Sequence, residues 1–136
     1  MARPLRHRRG VSHPHAPARQ RARHPGRCLA AHGDRDFNDQ GWPCEFFGAV
    51  TTFPPGPFLL AVRGDALIVP TYFLVRPDRK FRAIYEEPIE TRGAGTPEER
   101  ARAAMVIWLR GLEARIRAHP EQWYCFYPFW RGEGSG

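Results

Sequence analysis

The chain has 136 residues, 21 Lys and Arg against 14 Asp and Glu, and a formal net charge of +7. That length fits one domain and excludes several. Three scattered cysteines without a C-x-x-C pair exclude a disulfide framework or a zinc ribbon. The longest apolar stretch, ALIVPTYFLV at 66–75, contains Pro70 and is about half of what a membrane-spanning helix needs.

Residues 1–27 hold eight arginines, four histidines, four prolines and no acidic residue. The remainder carries 13 basic against 14 acidic side chains, so the excess charge resides wholly in this arm. Such a segment cannot bury enough apolar surface to offset its ordering entropy, and disorder is expected over 1–27. Its acid-free Arg/His/Pro text also resembles an out-of-frame translation of GC-rich coding sequence. No apolar stretch follows the basic start, so no signal peptide is expected. His24, Cys28 and His32 recur every four residues, a ligand spacing for a helix, but Pro25 and Gly26 break a helix there and no metal is expected.

CLAAHGDRDF (28–37) is expected to close a short strand and NDQGWP (38–43) to turn. Asp34, Asp36, Asn38 and Glu45 have the oxygen-ligand spacing of a calcium loop, yet Asp39 stands where the sharp turn needs glycine and Pro43 stiffens the exit. From Cys44 to Asp65 the pattern reads as a strand, a Pro/Gly loop and the helix LLAVR, with Gly64 as its left-handed stop. Thr51, Thr52, Gly56 and Pro57 lie just before that helix, where free backbone N–H groups and the helix dipole favour an anion. A rigid capping loop is the plainer alternative.

Residues 66–75 and 80–89 are rich in β-branched and aromatic side chains and flank the turn Arg76-Pro77-Asp78-Arg79, which predicts a hairpin or neighbouring strands. The first is apolar almost throughout, as for a strand covered on both faces, and the second alternates, as near an edge. Thr96, Pro97 and Glu99 form a capping box that opens a helix over about 97–118. Ala101, Ala104, Met105, Trp108, Leu112 and Ile116 make its apolar stripe. PEQWYCFYPFW (120–130) then packs six aromatic rings near the terminus. They are expected to cover a sheet or helix end, or to lie at a membrane interface; base stacking lacks the interleaved Lys and Arg it would use.

Taken in order, DRDF (34–37), FFG (46–48), PPGPFLLAVRGDALIVP (54–70), RPDRKF (76–81), EEPIE (86–90) and RGLEARIRAHPEQWYCFYPFW (110–130) resemble the C-terminal half of the bacterial lipid A biosynthesis acyltransferases. That lauroyl/myristoyl transferase family is related to the phosphatidylinositol mannoside acyltransferases. The resemblance covers about residues 28–130 and implies an α/β class: the C-terminal part of a glycerolipid-acyltransferase-like fold, strands packed with a long amphipathic helix. It implies transfer of an acyl chain from acyl carrier protein or coenzyme A to a glycolipid hydroxyl, at the cytoplasmic face of the inner membrane, with no cofactor. Asp34, Arg35, Thr51, Thr52, Gly56 and Pro57 would line the acceptor and phosphate side of the cleft.

Family catalysis rests on a histidine with Asp or Glu after four intervening residues. None of the six histidines here has one: the positions reached are Ser12, Ala18, Gln20, Leu29, Phe37 and Tyr124. The expectation is therefore an inactive C-terminal portion: a basic arm over 1–27, a partial acyltransferase domain over 28–130 and a flexible tail over 131–136, with the missing half encoded upstream. Two other classes compete: a small basic nucleic-acid-binding protein, its arm on phosphates, and a non-catalytic peripheral membrane module.

Overall fold

The computed structural model describes residues 26–125 and 129–130. The tail and all but the end of the basic arm lie outside the described residues.

Strands β1 (Trp42–Phe46) and β2 (Ala49–Phe53) pair antiparallel from Trp42 opposite Phe53 to Phe46 opposite Ala49. Only Phe47 and Gly48 connect them, at φ 52° and 78°. Two central residues with positive φ make the tight turn whose twist matches that of the strands. The single strand expected here is thus a hairpin, hidden because its first turn residue is a phenylalanine rather than Asn or Asp. The strand expected over 28–37 does not form; that segment has no β-branched residue to favour one.

Helix α1 (Gly56–Arg63) follows within three residues and buries Phe58 and Val62, one turn apart. Both ends depart from expectation: the helix opens at Gly56, so Gly56 and Pro57 form its first turn rather than the loop before it, as the fixed φ of Pro57 allows. Gly64 sits at φ −93°, and Asp65, at φ 49°, takes the left-handed position. The amides of Ala66 and Asp65 bond back to the carbonyls of Ala61 (2.9 Å) and Val62 (3.3 Å), the paired closure of a Schellman end.

Strands β3 (Thr71–Val75) and β4 (Phe81–Tyr85) form the second hairpin, with Thr71 opposite Tyr85 and Val75 opposite Phe81. The turn closes through Arg79 N–H to Arg76 C=O at 2.9 Å, with Arg79 at φ 63°. A bridge between Ile68 and Ile89 extends the ribbon. The covering of β3 on both faces is overturned: Tyr72 and Leu74 are half-buried, but Phe73 is 67% exposed. A ribbon of two strands has one face against the body of the molecule, and no other element covers its second face among the described residues.

Helix α2 (Pro97–Ala118) matches its expected span and start. Thr96 Oγ1 accepts the Glu99 N–H at 3.2 Å and Glu99 Oε2 accepts the Thr96 N–H at 2.7 Å. The helix buries Ala101, Ala104, Met105, Leu109, Leu112 and Ile116. Trp108, placed on the stripe by its spacing, is half-buried, and Leu109 is the core residue beside it. A 3-10 turn (Pro120–Gln122) follows, and the Gln122 amide bonds the Val75 N–H (2.7 Å) and C=O (3.1 Å) on the outer edge of β3.

The core lies where the first hairpin, α1 and α2 meet, closed from one side by Ile89. This mixture of helix and strand is α/β as expected, built on two separate two-stranded sheets among the described residues rather than one larger sheet.

Candidate functional site

Asp36 organises the region in which the resemblance would place substrate contacts. Its carboxylate accepts hydrogen bonds from the Gly41 amide (2.7 Å), the Thr52 hydroxyl (2.8 Å) and the Gln40 amide (3.3 Å). Partial burial disfavours its charge, but the bonds from Thr52, Gly41, Gln40 and Asn38 outweigh this and hold its pKa below the ordinary carboxylate value. Gly41 is required by this packing, because a Cβ there would stand 2.5 Å from Asp36 Oδ2 and 2.8 Å from the Phe53 carbonyl oxygen. The DRDF segment is thereby tied to β2.

The flanking candidates are also tethered. Asp34 pairs with Arg35 at 3.7 Å, and the Arg35 guanidinium donates to the Tyr124 carbonyl. Thr51 Oγ1 donates to the Phe129 carbonyl at 3.2 Å. Thr52 is thus held to the DRDF segment by Asp36, whereas Arg35 and Thr51 are tied to separate carbonyls of the C-terminal segment, and Thr51 and Thr52, successive in β2, lie on opposite faces of the strand. Gly56 and Pro57 open α1 instead and share in none of these bonds. Pro55 caps that helix without a side-chain hydrogen bond, and open space surrounds the place of a Gly56 Cβ. The calcium reading fails on Asp36, whose carboxylate is spent on protein donors, and on Glu45, which lies in β1.

Of the described rings of the aromatic ending, Trp123, Phe129 and Trp130 gather on the core as one expectation had it, whereas Tyr124 is exposed. Phe46 is fully buried, with the rings of Phe53, Trp123, Phe129 and Trp130 at 5.1, 6.0, 5.7 and 6.1 Å. Trp130 Nε1 also donates to the Phe46 carbonyl at 3.1 Å. Phe126, Tyr127 and Pro128 lie outside the described residues.

Two features escaped the sequence reading. The first is Phe47, whose left-handed backbone is strained for a bulky side chain. Its N–H donates to Glu113 Oε1 at 2.8 Å, and Arg117 lies over its ring at 4.9 Å. The second is a groove of about 500 Å³ between β1 and α2. Cys44, Met105 and Leu109 form its floor, and Arg102, Arg110 and Glu113 its rim. Burial pushes the Cys44 thiol up, opposed by Arg102, so the groove holds a neutral, weakly nucleophilic sulfur 3.3 Å from Met105 Sδ. No periodicity announces such a groove, because its walls come from segments about sixty residues apart. Among the described histidines, His119 approaches a carboxylate, Glu121, at 3.6 Å, with 39% of its side chain exposed. No helix among the described residues is long and apolar enough to cross a membrane.

The family model for bacterial lipid A biosynthesis acyltransferases matches residues 20–132. The phosphatidylinositol mannoside acyltransferase of Mycolicibacterium smegmatis (strain ATCC 700084 / mc(2)155) is 29% identical over 103 residues, which is 76% of this chain and 31% of that protein. The chain therefore spans less than a third of that relative's length.

Proposed function

This chain belongs to the bacterial lipid A biosynthesis acyltransferase family, and on that premise we propose that it serves the transfer of an acyl chain from acyl carrier protein or coenzyme A to a glycolipid hydroxyl. The observation that carries the reading is the Asp36 knot, which joins DRDF to the start of the TTFPPGP stretch through Thr52. Two segments separate in sequence meet at this bond, and in this reading the acceptor binds beside it. There Asp34, Arg35 and Thr52 position hydroxyl and phosphate groups of the acceptor, and Thr51, on the opposite face of β2, supports them by holding the C-terminal segment. Gly56 and Pro57 place the open N-terminus of α1 towards its anionic part.

These residues position substrate rather than move a proton. No histidine of the sequence has Asp or Glu after four intervening residues, and a positioned general base is typically worth about 10²–10⁴ in rate. The chain by itself therefore binds acceptor without turnover, at the cytoplasmic face of the inner membrane where the acyl acceptor resides. The test combines binding and turnover with phosphatidylinositol mannoside and a radiolabelled acyl-CoA. Arg35→Ala and Thr52→Val should each weaken glycolipid binding about tenfold, the loss of roughly one charge-assisted or hydroxyl contact, while Arg76→Ala should not. Binding indifferent to both variants would sink the acceptor-site reading. Turnover by the wild-type chain, lost in His119→Ala, would place the base here and overturn the positioning role.

A further inference from the structure

Among the described residues, nothing pairs with the outer edge of β4. In the second hairpin, Arg76 N–H bonds Lys80 C=O at 2.8 Å and Glu86 N–H bonds Pro70 C=O at 3.0 Å. The even-numbered residues of this strand therefore face β3, and antiparallel alternation turns the N–H and C=O groups of Phe81, Ala83 and Tyr85 away from it. No hydrogen bond meets those groups among the described residues. The corresponding edge of β3 is closed at Val75 by the Gln122 amide. Side chains of the same β4 residues lie on the uncovered face of the ribbon, with Phe81 73% and Tyr85 70% exposed.

A lipid surface would accept the aromatic rings, but hydrocarbon cannot satisfy three residues of unpaired backbone. A polypeptide strand satisfies both. The charge pattern selects the strand. From Arg79 to Glu87 the sequence reads RKFRAIYEE, basic at its start and acidic at its end. It is therefore complementary to itself when reversed. We propose that two copies of this chain pair β4 antiparallel about Ala83, making one four-stranded sheet. This register sets Phe81 against Tyr85 of the partner subunit and Arg79 against Glu87 of the partner subunit. Outward-bonding residues meet outward-bonding residues, and rings meet rings on one face. Arg79 and Glu87 make no ion pair within the described residues, so both are available. Pairing also relieves the marginal stability of a ribbon with only two strands.

Sedimentation velocity of the full chain, over about 1–200 µM to span micromolar affinities, should show a monomer–dimer equilibrium. Ala83→Pro removes the central outward N–H without touching a bond to β3, and should leave a folded monomer. If circular dichroism shows that this variant has unfolded, charge reversal decides. Arg79→Glu and Glu87→Arg should each weaken the dimer about tenfold, since each single change turns two attractive contacts repulsive. The double variant should restore it. A monomer at every concentration overturns the proposal, as does a dimer unchanged in folded Ala83→Pro or a double variant no stronger than the singles. Monomeric binding to phosphatidylglycerol vesicles that is lost on Phe81→Ser would assign this face to a membrane instead.

Discussion

Asp36 and Tyr72 respond to pH in opposite senses. Burial of Asp36 is outweighed by its hydrogen-bond donors, so its folded pKa lies below the ordinary Asp value of about 3.9. The unfolded chain then takes up the proton first. The contribution of Asp36 to stability is complete above that value and is lost as pH falls through the folded one. Asp36→Asn should lower the urea midpoint at neutral pH and flatten its fall below about pH 4; a variant that tracks the wild type through that range would contradict the knot. Tyr72 is pushed up to about 12 by burial and by Glu86, against the pull of Arg115. Its neutral form is the stabilised one, so its contribution holds below the ordinary phenol value of about 10 and fades as pH rises towards the folded value. Tyr72→Phe should remove the highest-pH step from the tyrosinate absorbance titration, and an unchanged titration would place that phenol in water. Phe47 shows a third residue-scale device, in which a carboxylate on α2 holds a backbone conformation that the side chain itself disfavours.

Among the elements, α2 was legible because its determinants are local. Thr96 and Glu99 stand three residues apart and cap each other wherever the helix packs. Thr96→Ala should cost about 1 kcal/mol in urea unfolding; a change near zero would show that the start of the helix is held by tertiary contacts alone. Trp108 marks the limit of such reading. The wheel puts it on the stripe, but its ring rests half-exposed against Phe53 and Phe58 at 6.0 and 5.6 Å. Trp108→Ala should therefore cost less than the about 3–5 kcal/mol of a fully buried ring. The first hairpin was not legible. Its two-residue turn contains no residue that favours positive φ except Gly48, and the partner that stabilises Phe47 comes from Glu113. For β3, apolar composition suggested burial on both faces, whereas coverage depends on what stands over the ribbon.

The whole molecule is closed by rings that meet at Phe46. Phe46→Ala should cost about 3–5 kcal/mol, more than Trp108→Ala, because every side of this ring is covered and its loss opens a cavity among five aromatic neighbours. Equal losses from the two variants would show that the centre of the core lies elsewhere. The sequence by itself determined what depends on a few neighbouring residues: the capped helix, the 76–79 turn, the LLAVR stretch of α1, and the ordered segments by which the family was recognised. Through that resemblance it also led to the proposal that DRDF and the threonines share one site. Tertiary structure alone decided that Asp36 is their organiser, that Thr51 and Arg35 are tied to the C-terminal segment, and that Cys44 faces Met105 across a groove. Those contacts join residues 61 to 89 positions apart, apart from the Asp36–Thr52 bond at 16. At such separations chain closure, not local preference, selects the partner, and a single strand of letters carries no record of which closures occur together.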